Sequence, residues 1–200
     1  MKAPALILAS GSQSRAKLLQ SAGLSFQVIP PGVDEDAVKD ALWAEDASAV
    51  QCAEALAELK AVKVSQNHPA ALVIGADQML DCHGRWYDKP ESLAAARDQL
   101  MGLAGKTHIL PTVAVVALNG TRIWAHAATP RLTMRAFDEA FVTSYLERAG
   151  AAVLQSVGAY QLESFGAHLF QMVEGDFFTI LGLPLLPLLA FLREHGIGLP

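Results

Sequence analysis

Several short segments carry side chains whose types and spacing suit work on a phosphate-bearing ligand. Leu8-Ala9-Ser10-Gly11-Ser12-Gln13-Ser14-Arg15 leads from an apolar run through small hydroxylated residues into a helix. Loop amides and a helix N-terminus offer N–H donors and the positive end of a dipole, which suit an anion. Ser10, Ser12 and Ser14 add hydroxyls, and Arg15 adds a planar charged fork. The segment also reads as a plain β–α turn with a serine cap, and it is neither a Walker A nor a GxGxxG loop. Asp77 and Gln78 follow the apolar run Leu72 to Ala76. Ligands of open α/β sheets gather outside the carboxyl ends of strands. A carboxylate there can hold Mg²⁺ or take a proton from water, or it can be a turn aspartate.

Two lysines and a late loop complete the set. Lys60 lies four residues after Leu56 and four before Val64. It therefore shares the apolar face of its helix, and it either snorkels to solvent or reaches a polar site at the sheet edge. Lys63 falls nearer the flank and reads as solvated. Lys89 precedes Pro90, which holds it extended just ahead of a helix, and a return strand could carry it back toward Asp77. Gly158 to Gly166 is a glycine-bounded loop with aromatics and one carboxylate, Glu163. It reads as a structural loop or as the wall of a base pocket in which Glu163 accepts from N–H edges. The six histidines show no metal-ligand spacing, and neither a Gly-x-Ser-x-Gly elbow nor a Cys/His pair is present, which disfavours covalent catalysis.

The elements that must position these groups alternate early and pair later. Ala5 to Ala9 and Ala71 to Ala76 read as strands buried on both faces. Ser12 caps a helix over Gln13 to Ala22, and Leu24 to Ile29 reads as a second strand. Val33 to Asp36 reads as a loop. Ser48 and Gln51 form a capping box for a helix over 49–64. Asp81 to Arg85 is a turn with His83-Gly84 at its tip. Further helices are expected over Pro90 to Leu103, Asp138 to Arg148 and from Pro184 to Gly196. Thr112 to Leu118 and Arg122 to Ala128 pair across Asn119-Gly120. A second hairpin is expected from His168 to Val173 and Phe177 to Ile180, around Glu174-Gly175-Asp176. The pattern predicts an α/β protein with a mixed sheet and flanking helices.

Composition narrows the function classes. The 200 residues are 52% hydrophobic with a formal charge of −5. That apolar share supports a buried core, and the chain is read as one domain over 1–200. The acidic balance argues against a nucleic-acid binder, so any phosphate-binding cations must be gathered at one place. Cys52 and Cys82 stand in no disulfide or zinc pattern. The opening residues read as a strand rather than a signal peptide, and the most apolar stretch is broken by Pro184 and Pro187. A cytoplasmic protein without membrane partners is expected.

Taken together, the segments resemble the Maf family of nucleoside triphosphate pyrophosphatases. The resemblance runs through LILASGSQSRAKLL, VDE at Val33 to Glu35, LAELKA around Lys60, VIGADQ around Asp77 and DKP at Lys89. It continues through GKTH at Gly105 to His108, GAYQLESFGAHLF and GDFFTILGLPL. It implies an elongated α/β fold with two lobes around a central cleft. It also implies hydrolysis between the α and β phosphates with a divalent cation, Mg²⁺ or Mn²⁺, and allows a homodimer. In the family's pattern Asp77 matches the proton acceptor, and Arg15, Glu35, Lys60 and Lys89 match charged cleft residues. The metal would bridge phosphate oxygens to Asp77 and Glu35. Gln78 and Glu163 are similar to the branch that hydrolyses 7-methyl-GTP, although Gln13 replaces the family's proline and Ser14 stands where that branch often has tryptophan. The other readings left open are a dTTP/UTP pyrophosphatase and a nucleotide-binding regulator of cell division without turnover.

Overall fold

The computed structural model describes residues 4–199. In chain order its elements begin with β1 (Ala5–Leu8), α1 (Gln13–Ser21), β2 (Gln27–Val28), α2 (Glu35–Ala44), α3 (Ala49–Ser65), β3 (Ala71–Gln78), β4 (Leu80–Cys82), β5 (Arg85–Tyr87) and α4 (Leu93–Leu103). They continue with β6 (Thr107–Ile109), β7 (Thr112–Leu118), β8 (Thr121–Ala128), β9 (Arg131–Met134), α5 (Glu139–Ala149), β10 (Phe170–Glu174), α6 (Phe177–Ile180) and α7 (Leu185–Glu194). The chain forms two compact units, in keeping with the expected two lobes. One takes residues up to 78, 112–128 and from 177 onward; the other takes 79–111 and 129–176. The first three residues and Pro200 of the expected single domain lie outside the described residues.

The first unit is built on a five-stranded sheet in the order β2-β1-β3-β7-β8. The first three strands are parallel, and β7 and β8 are antiparallel, so the sheet is mixed as expected. Its central strands are apolar because both faces are covered. On one face Leu6, Leu8, Leu72, Ile74, Ala114 and Val116 meet α1 and α7. On the other, Ile7, Ala9, Ala71 and Val73 meet Val64 of α3. Gly75 lies on this second face. A Cβ built there would stand 2.2 Å from the Ala57 carbonyl oxygen and 2.7 Å from the Ala61 nitrogen. The absence of a side chain at Gly75 is what lets the α3 backbone rest directly on β3.

The second unit holds an antiparallel sheet in the order β10-β9-β6-β4-β5. Its interior contains His108, 1% exposed, whose Nε2 lies 2.7 Å from the Tyr160 hydroxyl, while Nδ1 is buried without a hydrogen-bond partner. Tyr160 meets Phe170 edge-on at 4.8 Å between ring centres. Burial lowers the His108 pKa to about 4 and holds that of Tyr160 well above its ordinary value, so both rings are neutral in the fold.

Most expected elements are present with shifted ends. The Ser48–Gln51 capping box starts α3, and Asp138 caps α5. Asn119 and Gly120 (φ +50° and +73°) close the β7–β8 hairpin, and His83 and Gly84 (φ +56° and +82°) close β4–β5. Three expectations are corrected. Val33 to Asp36 is not a loop throughout, because the Asp34 side chain accepts from the Ala37 amide and begins α2. The strand expected over Leu24 to Ile29 shrinks to Gln27–Val28. The late hairpin does not form: β10 pairs with β9, and Phe177–Ile180 is a helical turn. A four-residue run has too little length for periodicity to tell strand from helix.

Two outcomes test this account. Gly75→Val should destabilise the protein by about 3 kcal/mol through overpacking against main-chain atoms. Its thermal midpoint should fall by roughly 5–10 °C, and an unchanged midpoint would remove Gly75 from this role. The depressed pKa of His108 makes the unfolded state bind the extra proton between pH 6.5 and 4. Stability should therefore be full above pH 6.5 and fall by about 3 kcal/mol toward pH 4. Urea denaturation of the wild type and His108→Phe across that range should show a shallower pH slope in the variant.

Candidate active site

The carboxyl ends of the parallel strands β1 and β3 lie side by side, with Leu8 in register with Ile74 and the Ala9 amide bonded to the Ile74 carbonyl at 2.7 Å. Beyond β1 the chain turns through Ser10 and enters α1. The Ser12 hydroxyl accepts from the Arg15 amide at 3.4 Å, the cap read from sequence. The Ser10 hydroxyl accepts from the Ser12 amide and from Arg15 Nη1, both at 3.2 Å. Arg15 Nε donates to the Gly182 carbonyl at 2.8 Å. Arg15 is thus buried and anchored by two of its five N–H donors. Ser14 is half-buried one residue earlier on α1. Desolvation lowers the Arg15 pKa, and the charges of Asp77 and Glu35 oppose that shift.

On the α3 side of the sheet edge, Lys60 does not snorkel. It is 4% exposed, and its ammonium donates to Asp77 Oδ1 at 2.6 Å and meets Glu35 Oε1 at 2.7 Å. The seat at Gly75 explains the first contact: Lys60 lies between Ala57 and Ala61, and Asp77 lies two residues past Gly75 on the same face. The Asp34 cap explains the second, since it makes Glu35 the first residue of α2. Burial raises the Glu35 pKa, but the Lys60 hydrogen bond and the charges of Lys60, Lys39 and Arg15 outweigh it, and the net shift is downward. Lys63 is exposed as read, yet its ammonium also donates to the Gly32 carbonyl ahead of α2.

Gln78 points to the opposite face of β3. Its Nε2 donates to Thr112 Oγ1 at 2.8 Å and to the Thr179 and Ile180 carbonyls at 3.1 Å. The first unit therefore brings together Ser10, Ser12, Arg15, Glu35, Lys60, Asp77 and Gln78. Lys89 and Glu163 belong to the second unit. Lys89 is exposed two residues after β5, which forms the return strand that the sequence allowed, and Glu163 is exposed in a turn before Phe165. Sequence reasoning missed Thr112, Thr179 and Gly182: Thr112 acts through its buried hydroxyl, and Thr179 and Gly182 act through main-chain carbonyls.

The arrangement can bind anions and hold a carboxylate charged out of water. Its two cations and two carboxylates cancel, so a bound polyphosphate needs further positive charge. Among the described residues no three His, Cys, Asp or Glu side chains group as metal ligands. Glu35 and Asp77 each give one oxygen to Lys60 and keep a second. That donor set fits a hard cation such as Mg²⁺, which takes one or two carboxylates and completes its shell with phosphate oxygens and water.

The model of a family described as Maf-like protein matches residues 5–195. The chain belongs to the Maf family. A relative from Paramagnetospirillum magneticum, named nucleoside triphosphate pyrophosphatase, is 56% identical over 97% of this chain and 100% of its own length. One from Rhodospirillum rubrum with the same name is 52% identical over 97% and 96%. A Brucella abortus relative named 7-methyl-GTP pyrophosphatase is 45% identical over 95% and 96%. No described helix of this Maf chain is long and apolar enough to cross a membrane.

Removing the ammonium with Lys60→Met leaves the Asp77 carboxylate buried without its partner. Stability should fall by about 3–5 kcal/mol, read from the urea midpoint. A change below about 1 kcal/mol, the range of an exposed pair, would mean that the ion pair is not what holds α3, α2 and β3 together here.

Proposed function

We propose that the protein is a nucleoside triphosphate pyrophosphatase, a hydrolase that cleaves between the α and β phosphates to give a monophosphate and pyrophosphate. The reading rests above all on the buried Lys60 ammonium shared by Asp77 and Glu35 beside Arg15. The names of the relatives agree with it. Asp77 accepts the proton of the attacking water. The water oxygen bonds to the α phosphorus as the bond from that phosphorus to the bridging oxygen breaks, and pyrophosphate leaves with the bridging oxygen. Lys60 keeps Asp77 and Glu35 charged and placed. Arg15 and the donors of Ser10, Ser12 and Ser14 hold phosphate oxygens. A divalent cation, Mg²⁺ or Mn²⁺, held by Asp77 and Glu35, would supply the missing positive charge. Positioning and charge neutralisation carry most of the acceleration.

For Lys89 we propose phosphate binding, and for Gln78 and Glu163 binding of the base. A carboxylate at Glu163 suits 7-methyl-GTP, because it accepts from guanine N1–H and the exocyclic amine and complements the cationic ring. A uracil or thymine edge would present carbonyl oxygens to it. The protein would then act as one cytoplasmic domain on a nucleotide, without nucleic-acid or membrane partners.

With Mg²⁺, released pyrophosphate should be highest for 7-methyl-GTP in a panel with GTP, dTTP and UTP. A clear preference for UTP would replace the substrate assignment, and tight binding without turnover would favour a regulator. Asp77→Asn, folded by circular dichroism, should lose at least about 100-fold in kcat, the lower range for a positioned proton acceptor. Near-full turnover would remove Asp77 as the base.

A further inference from the structure

The side chains at the end of β3 divide between two faces. Asp77 turns toward α3, and Gln78 turns toward the segment from Phe177 to Leu183. That segment is a single helical turn, too short to be stable by its own hydrogen bonds. The carbonyls at its end are groups a helix leaves without partners inside the helix, and the Thr179 carbonyl also accepts from the Gly182 amide at 2.9 Å. Two of them, on Thr179 and Ile180, accept from Gln78 Nε2. Thr112 is fully buried; its hydroxyl accepts from the same nitrogen and donates to the Thr179 carbonyl at 3.3 Å. Because both carbonyls can only accept, the amide nitrogen must face them.

At the other end of the segment stands Gly182, with φ +104°. This left-handed conformation suits glycine, and a Cβ here would lie 3.5 Å from Arg15 Nε. The Gly182 carbonyl is the acceptor for Arg15 Nε. We propose that Thr112 and Gln78 are positioning residues for Arg15, acting through the turn from Phe177 to Gly182. The turn is fastened at Thr179 and Ile180, and its carbonyl at Gly182 then sets the plane of the guanidinium. The N–H donors of Arg15 not taken by Gly182 and Ser10 are thereby presented to an anion in one orientation. Arg15 as the phosphate-binding cation rests on the function proposed above; the latch itself does not.

A group that only reads the base would leave binding of a base-free polyphosphate unchanged. The test uses full-length protein, inorganic tripolyphosphate with Mg²⁺ by calorimetry, and the Arg15 Nε–H signal in ¹⁵N NMR, assigned by its loss in Arg15→Lys. Thr112→Val should weaken tripolyphosphate binding about fivefold to tenfold and speed exchange of the Arg15 Nε–H proton by at least about tenfold. Thr112→Ser should restore both. In the Arg15→Lys background, Thr112→Val should add less than about twofold, because the two act as one unit. If Thr112→Val does not fold, Gln78→Met takes its place with the same expected shifts. Unchanged Nε–H exchange, or effects that multiply in the double variant, would overturn the proposal. Should the wild type hydrolyse no nucleotide while Nε–H exchange still responds to Thr112, the latch stands and the enzymatic reading fails.

Discussion

The ammonium of Lys60 is held out of water between two carboxylates, and much of the first unit is arranged to make that tolerable. Taking an ion from water costs several kcal/mol, recovered only when the partners are close and well aligned. Asp77 and Glu35 meet that demand at 2.6 and 2.7 Å, from two elements far apart in the chain. The helix bearing Lys60 must therefore lie unusually close to β3, and the bare backbone at Gly75 provides the seat. The Asp34 cap sets the start of α2 where the second carboxylate is needed.

The strand's alternation then gives the sheet edge two functions from adjacent residues. Asp77 belongs to an ionic cluster on one face, while Gln78 belongs to a neutral hydrogen-bonded network on the other. Arg15 connects them: it is bonded to the turn that Gln78 holds, and it feels the charges of Asp77 and Glu35. A cation that bridges both networks is well placed to register what happens in either.

How much of this was readable in advance depended on the range of the interactions involved. Ser12, Ser48 and Asp138 announced their helices because caps are local, and Asn119-Gly120 announced its hairpin because φ is positive at both positions. Asp77 was legible as a carboxylate at a strand end, and Lys60 as a cation on an apolar face. Which way Lys60 would turn was not, because that depends on Glu35 and Gly75, neither of which neighbours it in sequence. Asp34 was a local signal passed over, since no glutamate or glutamine stands three residues later to complete a capping box. Phe177–Ile180 misled because apolar residues serve a strand and a buried turn equally well. The contributions of Thr179, Ile180 and Gly182 come from main-chain oxygens, and residue type says nothing about those.

The two units are threaded through one another along the chain, and this bears on how the protein is made. The sheet carrying Asp77 takes β7 and β8 only after the intervening stretch 79–111 has been synthesised. The face that α1 begins to cover is completed only when α7 emerges as well. On the ribosome, then, an apolar surface of the first unit waits for nearly the whole polypeptide, and contacts of such long sequence separation form slowly. The same threading means that neither unit can be cut out as a single continuous fragment. Moving the chain ends to the exposed tip at Gly84 would leave that order of assembly very different.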